Sequence, residues 1–385
     1  MRRTACGRAS SVALAAFLGV LVGAALVWAL VRGGPAPVIA PRGAPATSLP
    51  AGDARPAGVV RPAVSGASQD AITAAVEKVG PAVVNISVLF QPSRQDLMAR
   101  AFGFEPFPRA GQGSGVIIDG KNGYIITNAH VVKGAQRVMV TMANGKRLEA
   151  KVVGIDPLTE VAVVKVPGDD YTQAVLGSAQ NLPIGSWVIA IGNPFGFENS
   201  VTVGVLSARG RQIGAPGGAS LQDLLQTDAS INPGNSGGAL VDLNGNLIGM
   251  PTAVIPYAQG IGFAVSIDVA KQVADKLIKT GKMPWIGIQH TTLPAEEAKR
   301  LRLPTGPGTT VVGVIPNGPA ATAGIEPGDL ITRLGDQPIQ SERDLTQAIR
   351  AHNAGDRVEI TLTRNGKEMR VAVTLGAVPP NLGGR

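Results

Sequence analysis

Three short stretches of this chain carry side chains whose types and order suit nucleophilic chemistry. They are Thr127-Asn128-Ala129-His130-Val131-Val132, Asp156-Pro157-Leu158-Thr159-Glu160-Val161-Ala162-Val163 and Asn232-Pro233-Gly234-Asn235-Ser236-Gly237-Gly238, in the order histidine, acid, serine. A serine hydroxyl is a poor nucleophile at neutral pH. It needs an imidazole to take its proton and a carboxylate to fix that imidazole's tautomer. The glycines around Ser236 serve a second purpose: lacking side chains, they let the backbone N–H groups of Gly234 and Ser236 converge on a developing oxyanion, where losing one donor costs about 10²–10³ in rate. His130 is the only histidine before His290, which makes it the candidate base.

Gly234, Ser236 and Gly238 also satisfy G-x-S-x-G, the strand-to-helix turn that presents the nucleophile of α/β-hydrolases. That fold requires a helix directly after the serine and a histidine later in the chain. Here an apolar β-type run and an Asn244-Gly245 turn follow instead, so the context excludes it.

The elements that must position these residues are strands. Runs of apolar β-formers separated by turns recur as AVVNISVLF, GSGVIIDG, GYIITNAHVV, RVMVTMANG, EVAVVKV, GSWVIAIGNP, VTVGVLSA, GALVDLNGNLIGM and IGFAVSI. Asn-Gly pairs at 122–123, 144–145, 244–245 and 365–366 suit tight hairpins. Such a series predicts β-barrels. A short helical stretch, Ala71 to Val79, precedes it and stops at Pro81. A helix follows it, capped by Ser266 or Asp268, with Val269, Val273 and Leu277 on one face and Gly281 at its end. From Trp285 onward a second series of strands accompanies two short helices, the later one capped by Ser341 with Leu345 and Ile349 on its inner face.

The net charge of +8 does not indicate a nucleic-acid partner. Seven arginines against the single acid Asp53 lie before Gln69, so the remainder is close to neutral and shows no basic stripe interleaved with aromatics. The single cysteine, Cys6, forms no internal disulfide, and His130, His290 and His352 have no metal-ligand spacing. No cofactor and no metal are expected.

From Ser11 to Val31 the chain is uncharged and apolar, about the length a helix needs to cross a bilayer. Arg2, Arg3 and Arg8 precede it, which by the positive-inside rule leaves the N-terminus in the cytoplasm and everything after Arg32 on the far side. A cleaved signal peptide is the competing reading. An anchor is favoured because the run exceeds the usual signal core of ~7–15 residues and lacks a clear A-x-A site. Residues 33–68, rich in Pro, Ala, Gly and Arg, are expected to be an extended tether. The expected layout is thus a stub and single-pass anchor over 1–32, the tether, a protease-like unit over 69–282, a second unit over 283–377 and a tail over 378–385. The catalytic part would face the periplasm or another extracytoplasmic space.

The motifs TNAHVV, AIGNPFG, VTVGVLSARGR and QTDASINPGNSGGAL resemble the HtrA/Deg family of serine proteases, and the likeness runs from about residue 68 to 377. The C-terminal unit resembles a PDZ domain, so the architecture is that of the family's membrane-anchored, single-PDZ branch. The resemblance implies an all-β, chymotrypsin-like double β-barrel with the active site between its barrels, followed by an α+β PDZ domain. It further implies homotrimers, misfolded or regulatory proteins as substrates, and C-terminal peptides as PDZ ligands. In that likeness Trp285-Ile286-Gly287-Ile288 forms the carboxylate-binding loop, beside which a peptide adds as a strand. Arg211, in SARGR, matches the arginine that relays activation between PDZ domain and active site.

Two departures stand out. Where the family has Asp before an L-A-V run, this chain has Glu160 in TEVAVVKV, and its extra methylene must be accommodated if it is to reach His130. Asp156 is the nearest substitute and reads as a turn residue ahead of Pro157. Met250-Pro251-Thr252 replaces the family's Ile-Asn-Thr in a loop that helps build the primary specificity pocket, for which small or medium apolar residues are expected. A degenerate protease surviving as a scaffold or chaperone is the alternative these departures raise.

Overall fold

The computed structural model describes residues 66–90 and 110–382, apart from 195, 197–198, 215–219, 233, 255–259 and 380–381. The apolar run of Ser11–Val31 and nearly all of the tether lie outside the described residues. Among the described residues no helix is long and apolar enough to cross a membrane.

Helix α1 (Gly66–Val79) starts earlier than its apolar periodicity indicates and ends in a single 3₁₀ turn, Gly80–Ala82, containing Pro81. Strands β1 (Val83–Phe90), β2 (Ala110–Asp119), β3 (Tyr124–Asn128), β4 (Ala135–Thr141), β5 (Arg147–Asp156) and β6 (Val161–Lys165) close into a barrel in the order β1-β2-β3-β6-β5-β4. A one-turn helix, α2 (Ala129–Val132), follows β3. Strands β7 (Val175–Leu176), β8 (Trp187–Gly192), β9 (Ser200–Gly214), β10 (Ser220–Thr227), β11 (Ala239–Val241), β12 (Asn246–Val254) and β13 (Gly262–Ser266) form the second sheet, in the order β11-β8-β9-β10-β13-β12-β7. Pairing of β11 with β12 closes that sheet on itself, so the expected pair of barrels is present. Closure leaves each interior to be filled by alternate residues, such as the fully buried Ile86, Ile117 and Ile125 of the first barrel.

Helix α3 (Ile267–Thr280) is capped by Ser266, whose side chain accepts from the Asp268 N–H, and ends at Gly281 with φ 68°. Its buried face comprises Ile267, Ala270, Val273, Ala274 and Leu277, packed on β5, β6 and β12.

The C-terminal unit has its own core, centred on Ile331, Leu345, Ile360, Leu362 and Val373. Strands β14 (Pro284–Trp285), β15 (Ile288–Thr291), β16 (Thr309–Val314), β17 (Leu330–Leu334), β18 (Gln337–Pro338), β19 (Arg357–Arg364), β20 (Lys367–Thr374) and β21 (Gly376–Ala377) are accompanied by α4 (Ala295–Arg300), α5 (Pro319–Thr322) and α6 (Glu342–Ala351). Its main sheet runs β15-β16-β17-β19-β20, which leaves β15 at one edge. Ser341 and Asp344 form a reciprocal capping box on α6. Asn365 and Gly366, both with positive φ, turn β19 into β20.

Candidate active site

His130 sits on the single turn of α2, directly after the end of β3. Glu160 lies in the turn between β5 and β6 with φ 60°, a left-handed conformation that costs a non-glycine residue on the order of 1 kcal/mol or more and persists only when its surroundings impose it. Those surroundings are specific. The Glu160 carbonyl accepts from the Ala129 N–H at 3.1 Å and from Asn128 Nδ2 at 3.0 Å. The Glu160 carboxylate is then turned to His130: Oε2 lies 2.6 Å from the ring Nδ1 and accepts the His130 backbone N–H at 3.2 Å. The longer side chain of Glu160 is thus accommodated against His130. With His130 Nδ1 donating to Glu160, Nε2 is left as the basic nitrogen.

Asp156 is engaged elsewhere. It accepts from Thr159 Oγ1 at 2.7 Å and from the Leu158 N–H at 3.2 Å, within its own turn. Burial pushes its carboxyl above the usual carboxylate range, partly opposed by the Arg350 guanidinium.

Ser236 lies in a tight turn in which the Asn235 N–H donates to the Asn232 carbonyl at 3.0 Å and the Gly238 N–H to the Asn235 carbonyl at 2.9 Å. Two glycines here are required by space. Gly234 has φ 105°, and a Cβ on it would collide with Pro194; Gly237 has φ 81°, and a Cβ there would collide with the Ser114 carbonyl and Thr127 Oγ1. Neighbouring strands hold the loop from both sides: the Ser114 N–H of β2 donates to the Ser236 carbonyl at 2.9 Å, and the Gly237 N–H donates to the Pro251 carbonyl of β12 at 3.0 Å. Since Thr127 and Asn128 end the strand leading into His130, the serine turn abuts the corner that carries the histidine. Met250 is buried within β12, and the Thr252 hydroxyl is buried without a partner among the described residues.

A groove of about 260 Å³ opens beside the edge strand β15, lined by Trp285, Ile286, Ile288, Ile315 and Ile349. Gly287, with φ 85°, lies between the two isoleucines of the loop that enters it. His290 also lines the groove; its Nδ1 is 3.1 Å from Thr309 Oγ1, and burial pushes its pKa down to about 4, so it is neutral near pH 7. Among the described residues, Arg350, Glu342 and Asp156 are the other ionisable groups that line the groove. Asp156, together with Leu158 and Gln222, reaches this groove from the barrel unit.

Arg211 does not touch the C-terminal unit through any described bond; its Nε donates to Gln226 Oε1 at 3.0 Å, across the β9–β10 pair. The adjacent Gln212 makes the link instead, donating to Glu342 at 3.2 Å, and Gln222 also donates to that carboxylate. Arg343 Nε pairs with Asp223 Oδ2 at 3.2 Å, and Lys276 Nζ donates to the His352 carbonyl at 2.9 Å. None of these inter-unit partners was singled out by the sequence.

Two family models match the chain: a trypsin-like peptidase domain over residues 113–250 and a PDZ domain over residues 284–375. Among curated proteins, the serine protease HhoB of Synechocystis is 42% identical over 81% of this chain and 80% of its own length. A DegP-like periplasmic serine endoprotease of Pseudomonas putida is 37% identical over 80% of this chain and 70% of its own. Among solved structures, the HtrA-type protease AlgW with a decapeptide superposes with TM-score 0.64 and 35% identity, covering 80% of this chain and 99% of that one. A serine endoprotease from Yersinia pestis gives TM-score 0.58 at 36% identity, over 80% and 98% respectively.

Proposed function

This chain belongs to the HtrA/DegP family of serine proteases, with one trypsin-like domain and one PDZ domain, and from that membership we propose that Ser236, His130 and Glu160 are its catalytic triad. The carrying observation is the 2.6 Å contact between His130 Nδ1 and Glu160 Oε2. In the proposed cycle His130 Nε2 takes the Ser236 proton as Oγ attacks the scissile carbonyl, and the Gly234 and Ser236 N–H groups receive the oxyanion. His130 then protonates the leaving amine, and water releases the acyl group by the same steps in reverse order. Glu160 holds the imidazole in one tautomer and stabilises the imidazolium. No nucleotide is required, since the chemistry is complete in these groups.

The biological reading is an endopeptidase of envelope protein quality control or stress signalling. It acts on misfolded or regulatory proteins in the periplasm, tethered to the inner membrane by Ser11–Val31 and assembled as a homotrimer. Peptide C-termini are proposed to add beside β15, with their carboxylate at Trp285-Ile286-Gly287-Ile288. Regulation by such peptides is supported by the shared wall of the groove: Asp156 and Leu158 lie there on the same short turn that presents Glu160. Arg211, bonded to Gln226, is proposed as a regulatory residue, beside the contacts that Gln212 and Gln222 make with Glu342.

Incubation with β-casein in the absence of ATP tests this. Fragments are expected, and their rate of appearance should rise with a peptide ending in an apolar residue but not with its C-terminal amide. No fragments under either condition would reject the protease reading and favour a scaffold. Equal stimulation by acid and amide would reject the carboxylate site.

A further inference from the structure

The proposed oxyanion donors belong to the second barrel's loop, yet the group that shapes this loop comes from the first barrel. Ser114, on β2, is fully buried, and its polar atoms all act on the active site. Its hydroxyl donates to the Gly234 carbonyl at 2.5 Å and accepts the Asn193 N–H at 2.7 Å. Its backbone N–H donates to the Ser236 carbonyl, and its carbonyl accepts from Thr127 Oγ1 at 2.7 Å, on the strand that leads to His130. The Asn193–Pro194 segment is fixed in turn, because Asn85 Nδ2 donates to the Asn193 carbonyl at 2.9 Å and to the Pro194 carbonyl at 3.0 Å. Pro194 is the residue that presses on Gly234.

A peptide chain has only φ and ψ as soft torsions. Gly234, without a Cβ, has the wide backbone freedom of a glycine. The Gly234 carbonyl shares a peptide plane with the Asn235 N–H and the Ser236 carbonyl with the Gly237 N–H, so holding both from one residue fixes the two planes that flank the Asn235–Ser236 peptide and restricts the direction of the Ser236 N–H between them. Preorganised donors are what oxyanion stabilisation requires.

We propose, resting on the triad reading above, that Ser114 is a positioning residue for the oxyanion hole: its hydroxyl on the Gly234 carbonyl and its N–H on the Ser236 carbonyl fix the peptide planes on either side of the Asn235–Ser236 peptide, so that the Ser236 N–H, beside that of Gly234, points at the developing negative charge. It touches no reacting atom. Its effect is therefore exerted in the transition state and not on ground-state binding.

The test compares wild type with Ser114→Ala on a fluorogenic peptide and on a peptidyl boronate that mimics the tetrahedral adduct. The variant keeps the backbone bond to Ser236 but leaves the Gly234 carbonyl without its partner. A fall in kcat of about ten- to a hundredfold is expected, less than the ~10²–10³ that follows outright loss of a donor. KM should stay within about twofold, with boronate affinity weakened by the same factor as kcat/KM. If Ser114→Ala does not fold, Ser114→Cys, similar in shape and a weak donor, should show the same pattern with a smaller loss. Unchanged kcat in a folded variant, or a loss carried by KM alone, overturns the proposal while leaving the triad intact. A wild-type protein that does not turn over the peptide overturns both.

Discussion

Ser236→Ala is expected to lower kcat by about 10⁵–10⁶, close to the whole contribution of a hydrolytic triad, while leaving substrate and peptide binding unchanged. The alcohol is the only group in the serine turn able to form the acyl intermediate, since the surrounding Gly234, Asn235, Gly237 and Gly238 present no nucleophile. The turn itself should survive the change, because its bonds to Ser114 and Pro251 are made by the backbone. Single-turnover cleavage of a fluorogenic peptide checks this. Turnover within tenfold of wild type would mean that another nucleophile does the work.

Glu160→Gln is expected to lower kcat by about 10³–10⁴ with little change in KM. The amide is nearly isosteric and can still accept from the His130 backbone N–H through its oxygen. It cannot stabilise an imidazolium, and its NH₂ group can favour the wrong tautomer of His130. Glu160→Asp keeps the charge, and aspartate tolerates the left-handed backbone at this position better than most residues. Its carboxylate is one methylene short, so intermediate activity is expected, above that of the Gln variant. Steady-state kinetics of the two variants decide the matter: if Gln matches wild type while an Asp156 variant is inactive, the acid has been assigned to the wrong residue. The structure gives a reason to expect otherwise, since Asp156 is occupied by Thr159 and Leu158.

The strands were legible because apolar β-formers alternate with turn pairs, and Asn365-Gly366 adopts the positive φ angles that such pairs favour. The two-residue strands β7, β14, β18 and β21 carry no pattern of their own, because their pairing is imposed by neighbours already in place. Helix α1 begins at Gly66 and not at Ala71, because its first turn, Gly66-Ala67-Ser68-Gln69, contributes no apolar periodicity. Ser266 proved to be the cap of α3, and the motifs around His130 and Ser236 marked two turns that the fold brings side by side.

What the sequence concealed depends on pairs distant along the chain. Ser114 reads as an ordinary strand residue between two glycines, and its hydroxyl partners, Asn193 and Gly234, lie 79 and 120 positions away. Glu342 reads as the first residue of a capped helix, yet it receives side chains from the barrel unit. Gln212 was not marked, although it meets Glu342 while its neighbour Arg211 bonds Gln226, because alternation along β9 sends adjacent side chains in opposite directions. That Glu160 would adopt left-handed backbone with its carbonyl held by Asn128 and Ala129 could not be read from composition or spacing, because those partners lie some thirty residues back along the chain.

The central claim is that Ser236 is a hydroxyl activated by His130 and Glu160. Mapping by mass spectrometry of where a fluorophosphonate attaches addresses it most directly. One adduct on the peptide containing Ser236 is predicted for wild type, with labelling slowed by orders of magnitude when His130 is replaced by Ala. Attachment at another residue, or labelling of Ser236 at the same rate without the imidazole, would contradict it.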